Sequence, residues 1–234
     1  MALPVAGYLA TLSVGGTSTA TTAEATSLFS SALGAANTVR QITNTAKRCI
    51  DPAVAVVVKD GAGTVADTSY VIDYLYGKIR FLSYTPSGVI TVDCSYIPLL
   101  TVSGVRAITI SMDRDDIDAT TLSNGVIGGE SSILGKKKAS GEIEIISTEF
   151  DDLDPGAGTP SFYTWLTGST SFLLDVQMGA ITSGFRAWAK LPGISRDGLS
   201  KGADLIGRKL KWHATNGGDD ASKDAWFSTT EAFT

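Results

Sequence analysis

Hydrophobic and polar residues alternate with a period of two in successive stretches of the chain, the pattern of β-strands that bury one face. In 105–112, Ile108, Ile110 and Met112 alternate with Thr109 and Ser111. In 141–146, Ile143 and Ile145 alternate with Glu142 and Glu144, which places the two acids on one face. Upstream, the runs at 53–59, 68–76, 77–82 and 88–96 are separated by Asp60-Gly61, Gly77 and Pro86 to Gly88 and read as a four-stranded meander. Downstream, 171–178, 184–191 and 207–214 add three more strands, the last two joined by a Gly- and charge-rich connection from Pro192 to Ile206.

Two stretches break this period. Thr21 followed by Glu24 has the spacing of a helix capping box ahead of Ala25, Leu28 and Phe29, so a short helix is expected there. At 159–168, Thr159 suits an N-cap, Pro160 the first helical position and Gly168 a terminator, with Phe162, Trp165 and Leu166 as the buried stripe. The stretch 97–104, with Pro98 and Gly104, reads as a linker. The expected organisation is a β-rich module over 1–100 and a second β domain over 101–234. Short, evenly spaced strands in the second suggest a sandwich or barrel with one short α-helix.

Between the strands ending at Met112 and beginning at Gly141 lie 28 residues, 113–140. A hairpin needs two to five residues in its loop, so a loop of this length is expected to reach another molecule. Four aspartates stand near its start (Asp113, Asp115, Asp116, Asp118) and three lysines near its end (Lys136, Lys137, Lys138).

Composition narrows the classes. The 234 residues are 43% hydrophobic and 18% charged, an ordinary globular balance that can bury a core. Residues 1–100 carry six basic against six acidic residues, so the formal charge of −5 resides entirely in 101–234. An acidic surface argues against adhesion to a phosphate backbone. No apolar run approaches the roughly 18 residues of a membrane span. The start, MALPVAGYLA, lacks the basic head of a secretory signal, so a soluble, unprocessed protein is expected. Cys49 and Cys94 are too few for a disulfide framework, and Cys94 shares an apolar face with Ile90, Val92 and Tyr96, which makes a buried inert thiol the preferred reading.

No constellation argues for catalysis, a cofactor or a metal. The aspartate cluster fails the EF-hand spacing, because Ile117 falls on a ligand position and Asp118 on the turn glycine. His213 is the single histidine, with no nucleophile elbow beside it. The 25 glycines form neither a phosphate-binding loop nor a dinucleotide-binding turn.

The run RAITISMDRDDIDATTLSNG, the following GKKKASGEIEIIS, the acidic stretch leading into a Pro-started helix and the three strands after it resemble the major tail tube proteins of long-tailed, siphovirus-like bacteriophages. The likeness spans roughly 101–215. In that family an acidic strand end closes on an Asp-x-Thr-Thr-like sequence, matched by Asp118, Ala119, Thr120 and Thr121, and the second strand opens on Ser-Gly, matched by Ser140 and Gly141. The upstream pieces QITNTAKRCIDP, VVKDGAG, SYVIDYLYGKIRF and ITVDCSYIPL resemble a module that some of these tail proteins carry ahead of the tube domain. Tyr70, Asp73, Tyr74 and Gly77 are its most recognisable positions.

The resemblance implies a tail-tube-type β fold that self-assembles into stacked, usually hexameric rings around a channel for double-stranded DNA, which passes without specific binding. It implies a homo-oligomer whose partners are tape measure, terminator and baseplate or initiator proteins, located in the virion tail after assembly in the bacterial host cytoplasm, with no membrane insertion and no enzymatic activity. Asp116, Asp118, Thr120, Thr121, Lys136, Lys137 and Lys138 are then candidate subunit contacts, the lysines pairing with aspartates of a neighbouring ring. The Glu142 and Glu144 face has two readings, a solvated face or a lumen-lining acidic ring that repels DNA. Two rivals stand beside this: a monomeric β-sandwich carbohydrate-binding or adhesin module using Trp165, Trp188, Trp212 and Trp226 as a stacking platform, and another phage component such as a decoration or neck protein.

Overall fold

The computed structural model describes residues 10–30, 38–82, 84–102, 105–118, 132–147, 171–178, 184–196, 206–215 and 226–227. They are mainly β. In chain order the strands are β1 (Ala10–Gly15), β2 (Thr19–Ser30), β3 (Val39–Ile42), β4 (Val57–Asp60), β5 (Gly63–Thr64), β6 (Tyr70–Asp73), β7 (Lys78–Phe81), β8 (Ile90–Tyr96), β9 (Leu99–Thr101), β10 (Val105–Asp118), β11 (Ser132–Ser147), β12 (Phe172–Met178), β13 (Gly184–Arg196), β14 (Ile206–Ala214) and β15 (Trp226–Phe227). One sheet has the order β5-β4-β8-β2-β3-β7-β6. The other runs β10-β11-β14-β13-β12-β1-β9, with β15 beside β13.

In the first sheet, β2 replaces the helix expected at 21–29, and the expected meander becomes two flaps joined through β2. Residues 19–25 of β2 pair with β8, and residues 26–30 pair with β3. The switch of partner occurs just past a bulge between Thr21 and Glu24, where Ala23 takes φ +54°. Bulges bend a strand and sharpen its twist. The Thr21 hydroxyl does donate to the Glu24 carboxylate, at 2.5 Å, but across the bulge instead of over a helical turn. Lys47 pairs with the same carboxylate, and that hydrogen bond foremost holds Glu24 below the usual carboxylate range. The Thr-rich composition of β2 fits a half-exposed strand better than a helix.

The two flaps close over Ile42, Ile50, Val58, Ile72, Ile79, Phe81, Ile90, Val92 and Cys94. Their turns explain the Tyr70, Asp73, Tyr74, Gly77 spacing. The Asp73 carboxylate accepts from the Leu75 and Tyr76 amides, both at 3.1 Å, and the Gly77 amide donates to the Asp73 carbonyl at 2.9 Å. Gly77 sits at φ +61°, and a Cβ there would lie 2.7 Å from the Arg48 carbonyl oxygen. Only glycine meets both demands.

The second sheet curls around one core. Leu12 and Val14 of β1 share a cluster with Ile143, Ile145, Leu210 and Trp212, although β1 and β11 stand four strands apart in the sheet. Its two halves therefore face each other across the core, and their outward faces point away from one another. Two expectations change here. Residues 10–15, placed by sequence with the 1–100 module, pair with β12 and β9 in this sheet. The 97–104 stretch, expected as a linker, contains β9 and the buried Ile97 and Val102.

The outward face of β12 and β13 is covered by the first sheet. Cys49, Leu75, Tyr76 and Ile97 pack there against Leu173 and Trp188 as a third apolar cluster. Gly15 lies within this seam, where a Cβ would come to 2.8 Å from both Ile97 Cγ2 and Leu173 Cβ. The helix expected at 159–168 lies outside the described residues.

One carboxylate closes the hairpin end of the first sheet. Asp60 accepts from the Ser87 amide (2.7 Å), the Gly88 amide (2.5 Å), the Tyr84 hydroxyl (2.9 Å) and the Ser87 hydroxyl (3.1 Å). These bonds, the Ser87 amide foremost, hold its pKa below the usual carboxylate range. With the folded pKa depressed, the stabilisation is complete above the unfolded value of about 4 and is lost as pH falls through the folded value. The Ser87 and Gly88 amide resonances should therefore titrate with a midpoint below that of an ordinary aspartate. A midpoint near 4 would contradict the clasp.

Candidate assembly surface

The strands of the 105–146 hairpin are longer than the sequence reading allowed. The expected loop of 113–140 is largely ladder: β10 and β11 stay paired from Val105 opposite Ile145 to Asp118 opposite Ser132. The hydrophobic alternation that marks the strands stops at Met112, and the hydrogen-bonded ladder continues without it to Asp118. β11 pairs with β14 only from Ser140 to Ser147. Beyond that, residues 112–118 and 132–139 form a two-stranded ribbon that, among the described residues, has no third strand beside it. At about 3.3 Å per residue it projects roughly 20 Å.

The candidate contacts fall on this ribbon or beyond it. Asp116 lies opposite Leu134 and Asp118 opposite Ser132, while Lys137 lies opposite Arg114 and Lys138 opposite Asp113. Lys136 stands in a register shift, between Arg114 and Asp116 on the facing strand. The last aspartates of β10 thus lie opposite uncharged residues, and the three lysines of β11 lie opposite residues 113–115. Thr120 and Thr121 lie outside the described residues.

Glu142 and Glu144 share the face turned away from the core, between the buried Ile143 and Ile145. That face is not acidic. Arg106 Nη1 lies 3.3 Å from Glu144 Oε1, and Lys211 Nζ lies 3.9 Å from Glu142 Oε1. The Cα partner of Glu144 in β14 is Lys209, and Lys190 sits opposite the exposed His213. Two cations therefore lie beside the two carboxylates, with Lys209 and Lys190 on the adjoining strands. With Arg106 and Lys211 66% and 62% exposed, each pair contributes on the order of 0 to 1 kcal/mol, so the pairing sets the sign of the face more than its stability. The compensating lysines escape a linear reading because they lie on β14, more than sixty residues from the glutamates.

Gly141 is the tightest point of the hairpin. Its Cα partners are Ile110 in β10 and Trp212 in β14, so large side chains flank it on both sides. A Cβ would lie 1.9 Å from the Thr109 carbonyl oxygen and 3.0 Å from Trp212 Cε2. At this level Thr109 also spends its hydroxyl on the ladder, accepting from the Glu142 amide at 2.9 Å.

The outer edge of β10 ends the sheet, with no further strand among the described residues. Fourteen residues of open edge contrast with the three-residue β9 at the opposite end. Long open edges template pairing with another chain. Of the four tryptophans named for a stacking platform, Trp188 and Trp212 are 7% and 2% exposed and belong to different clusters, so neither presents a stacking face; Trp165 lies outside the described residues. Both cysteines are free and buried, and burial pushes each thiol up to about 11.

No protein-family model matches the chain, and no curated protein matches it. Among solved structures, the chain is similar to one described as the virion of a native gene transfer agent particle, with 16% identity and a TM-score of 0.40 over 56% of this chain and 89% of that one. It is also similar to one described as the tail of an empty gene transfer agent particle with C6 symmetry, with 18% identity and a TM-score of 0.39 over 56% and 87%. At these scores and identities the likenesses define neither a family nor a function.

Replacing Gly141 with alanine should weaken the β10–β11 pairing and lower stability by roughly 1 to 3 kcal/mol. Urea denaturation measures this, and an unchanged midpoint would show that the strands have room to spare.

Proposed function

We propose that this chain is a structural subunit of a bacteriophage-type tail tube, self-assembling into stacked rings around a channel for DNA and performing no catalysis. One observation carries the reading: the β10–β11 hairpin combines an open fourteen-residue edge with a ribbon that projects beyond its own sheet. A two-stranded ribbon is marginal in water by itself, and an open edge that long is an aggregation hazard unless it is used. Edge-to-edge addition of further copies of the chain answers both demands and, repeated about one axis, closes on itself in a ring.

The aspartates of β10 and the lysines of β11 give such addition a direction, because the acid-bearing strand at one edge of the ribbon complements the lysine-bearing strand at the other edge in the next copy. Asp116, Asp118, Thr120, Thr121 and Lys136 to Lys138 are the proposed contact positions. The curl of the second sheet supports an arrangement in which the Glu142 and Glu144 face turns towards the channel while the first sheet remains outside. In that arrangement the channel face is charge-compensated, and DNA passes a mixed-charge wall in place of a purely acidic one. Tape measure, terminator and initiator proteins are the proposed further partners, and the virion tail the proposed location.

Negative-stain microscopy of the concentrated protein tests this. Rings or tubes with a central channel are expected from the native chain. Changing Lys136, Lys137 and Lys138 to Glu should abolish them, and adding Lys at Asp113, Asp115, Asp116 and Asp118 should restore them. Tubes that form equally well with the triple change, at low salt, would overturn the assigned contacts. A chain that binds glycans and stays monomeric at every concentration would overturn the function.

A further inference from the structure

Two charged side chains lie inside the apolar seam between the sheets. Asp175 in β12 is 1% exposed, and its Cα partner in β13 is Arg186. Arg186 Nε donates to Asp175 Oδ1 at 2.5 Å, and Gln177 Nε2 donates to Asp175 Oδ2 at 3.2 Å. Arg186 Nη1 then leaves its own sheet and donates to the Leu75 carbonyl at 2.9 Å, in the turn between β6 and β7. Its guanidinium lies 5.1 Å from the centre of the Tyr76 ring. The Cys49 thiol donates to the same Leu75 carbonyl at 3.4 Å.

Apolar contacts such as those of Leu173, Trp188, Ile97 and Leu75 are non-directional and tolerate sliding. A guanidinium does not, because its donors are fixed in a planar fork. If the first sheet slid while the seam stayed dry, an Arg186 N–H would face carbon in place of the Leu75 oxygen, and a buried donor without a partner is costly. A single placement of the β6–β7 turn satisfies the fork, the carboxylate and the ring together.

We infer that Arg186, held by Asp175, is a docking key that fixes the first sheet in one orientation on the outward face of β12 and β13. The two sheets then behave as one rigid body, not as a domain with a tethered module. The device does not depend on the tail-tube reading; in an assembly of any kind it would present the first sheet at a constant angle from every subunit.

The two cysteines report on this separately. Cys49 lies in the seam, whereas Cys94 lies in the first sheet's own core. Labelling with a thiol reagent, read by mass spectrometry at each cysteine, distinguishes undocking from unfolding. Arg186→Met alone leaves the Asp175 charge buried, so the deciding variant is the double change Asp175→Leu with Arg186→Met, which removes both charges. In it Cys49 should react at least about tenfold faster than in the native chain while Cys94 keeps its native rate, the signature of local opening. Native protection of Cys49 in the double variant would overturn the inference. So would equal acceleration at both cysteines, which would make the pair a requirement of the fold and not of docking.

Discussion

A curled sheet buries one face against itself and leaves a second face and two edges to be dealt with by other means. Everything else in this protein follows from how that debt is distributed. The inner face is settled by alternation, with Leu12, Val14, Ile143, Ile145, Leu174, Val176, Phe185 and Leu210 in one cluster. The outward face of β12 and β13 is settled by the first sheet, which explains why β12 is buried on both faces from Phe172 to Val176. The outward face of β10, β11 and β14 is settled by polar and charged side chains. Of the two edges, β9 is short, and β10 is the one left open among the described residues.

Backbone geometry serves the same distribution. The bulge at Thr21 to Glu24 lets a single strand join the two flaps of the first sheet. Register shifts fall near Arg106, where the hairpin enters the sheet, and near Asp115, within the ribbon beyond it. Gly141 admits the close approach of β10 and Trp212 at the level where the ribbon begins.

Strands that border a core were legible as alternation, and β8, β12 and β14 fall within a residue or two of the expected ends. Strands without a core behind them were not. Residues 113–118 and 132–138 carry charged residues in place of the period-two alternation, so hydrogen-bonded ladder reads as loop. β2 read as a helix because Thr21 and Glu24 interact at the same sequence spacing in a bulge as in a capping box. The Asp175 and Arg186 pair does leave a signal in the sequence: one acid within the apolar run SFLLDVQM and a base within GFRAWAKL, charges embedded among residues that are mostly buried. The pairing of Glu142 with Lys211 is not legible in the sequence, because register between distant strands is not written in either strand alone.

The central claim is that the open edge of β10 exists to be filled by another copy of the chain. Hydrogen exchange of the residue 105–118 amides, compared between dilute and concentrated protein, tests it most directly. In an antiparallel pair about half of these amides point away from β11. The account predicts that this outward half exchanges fast in dilute protein and becomes protected on concentration, while the inward half is protected throughout. Assemblies in which the outward amides still exchange at their dilute rate would contradict it.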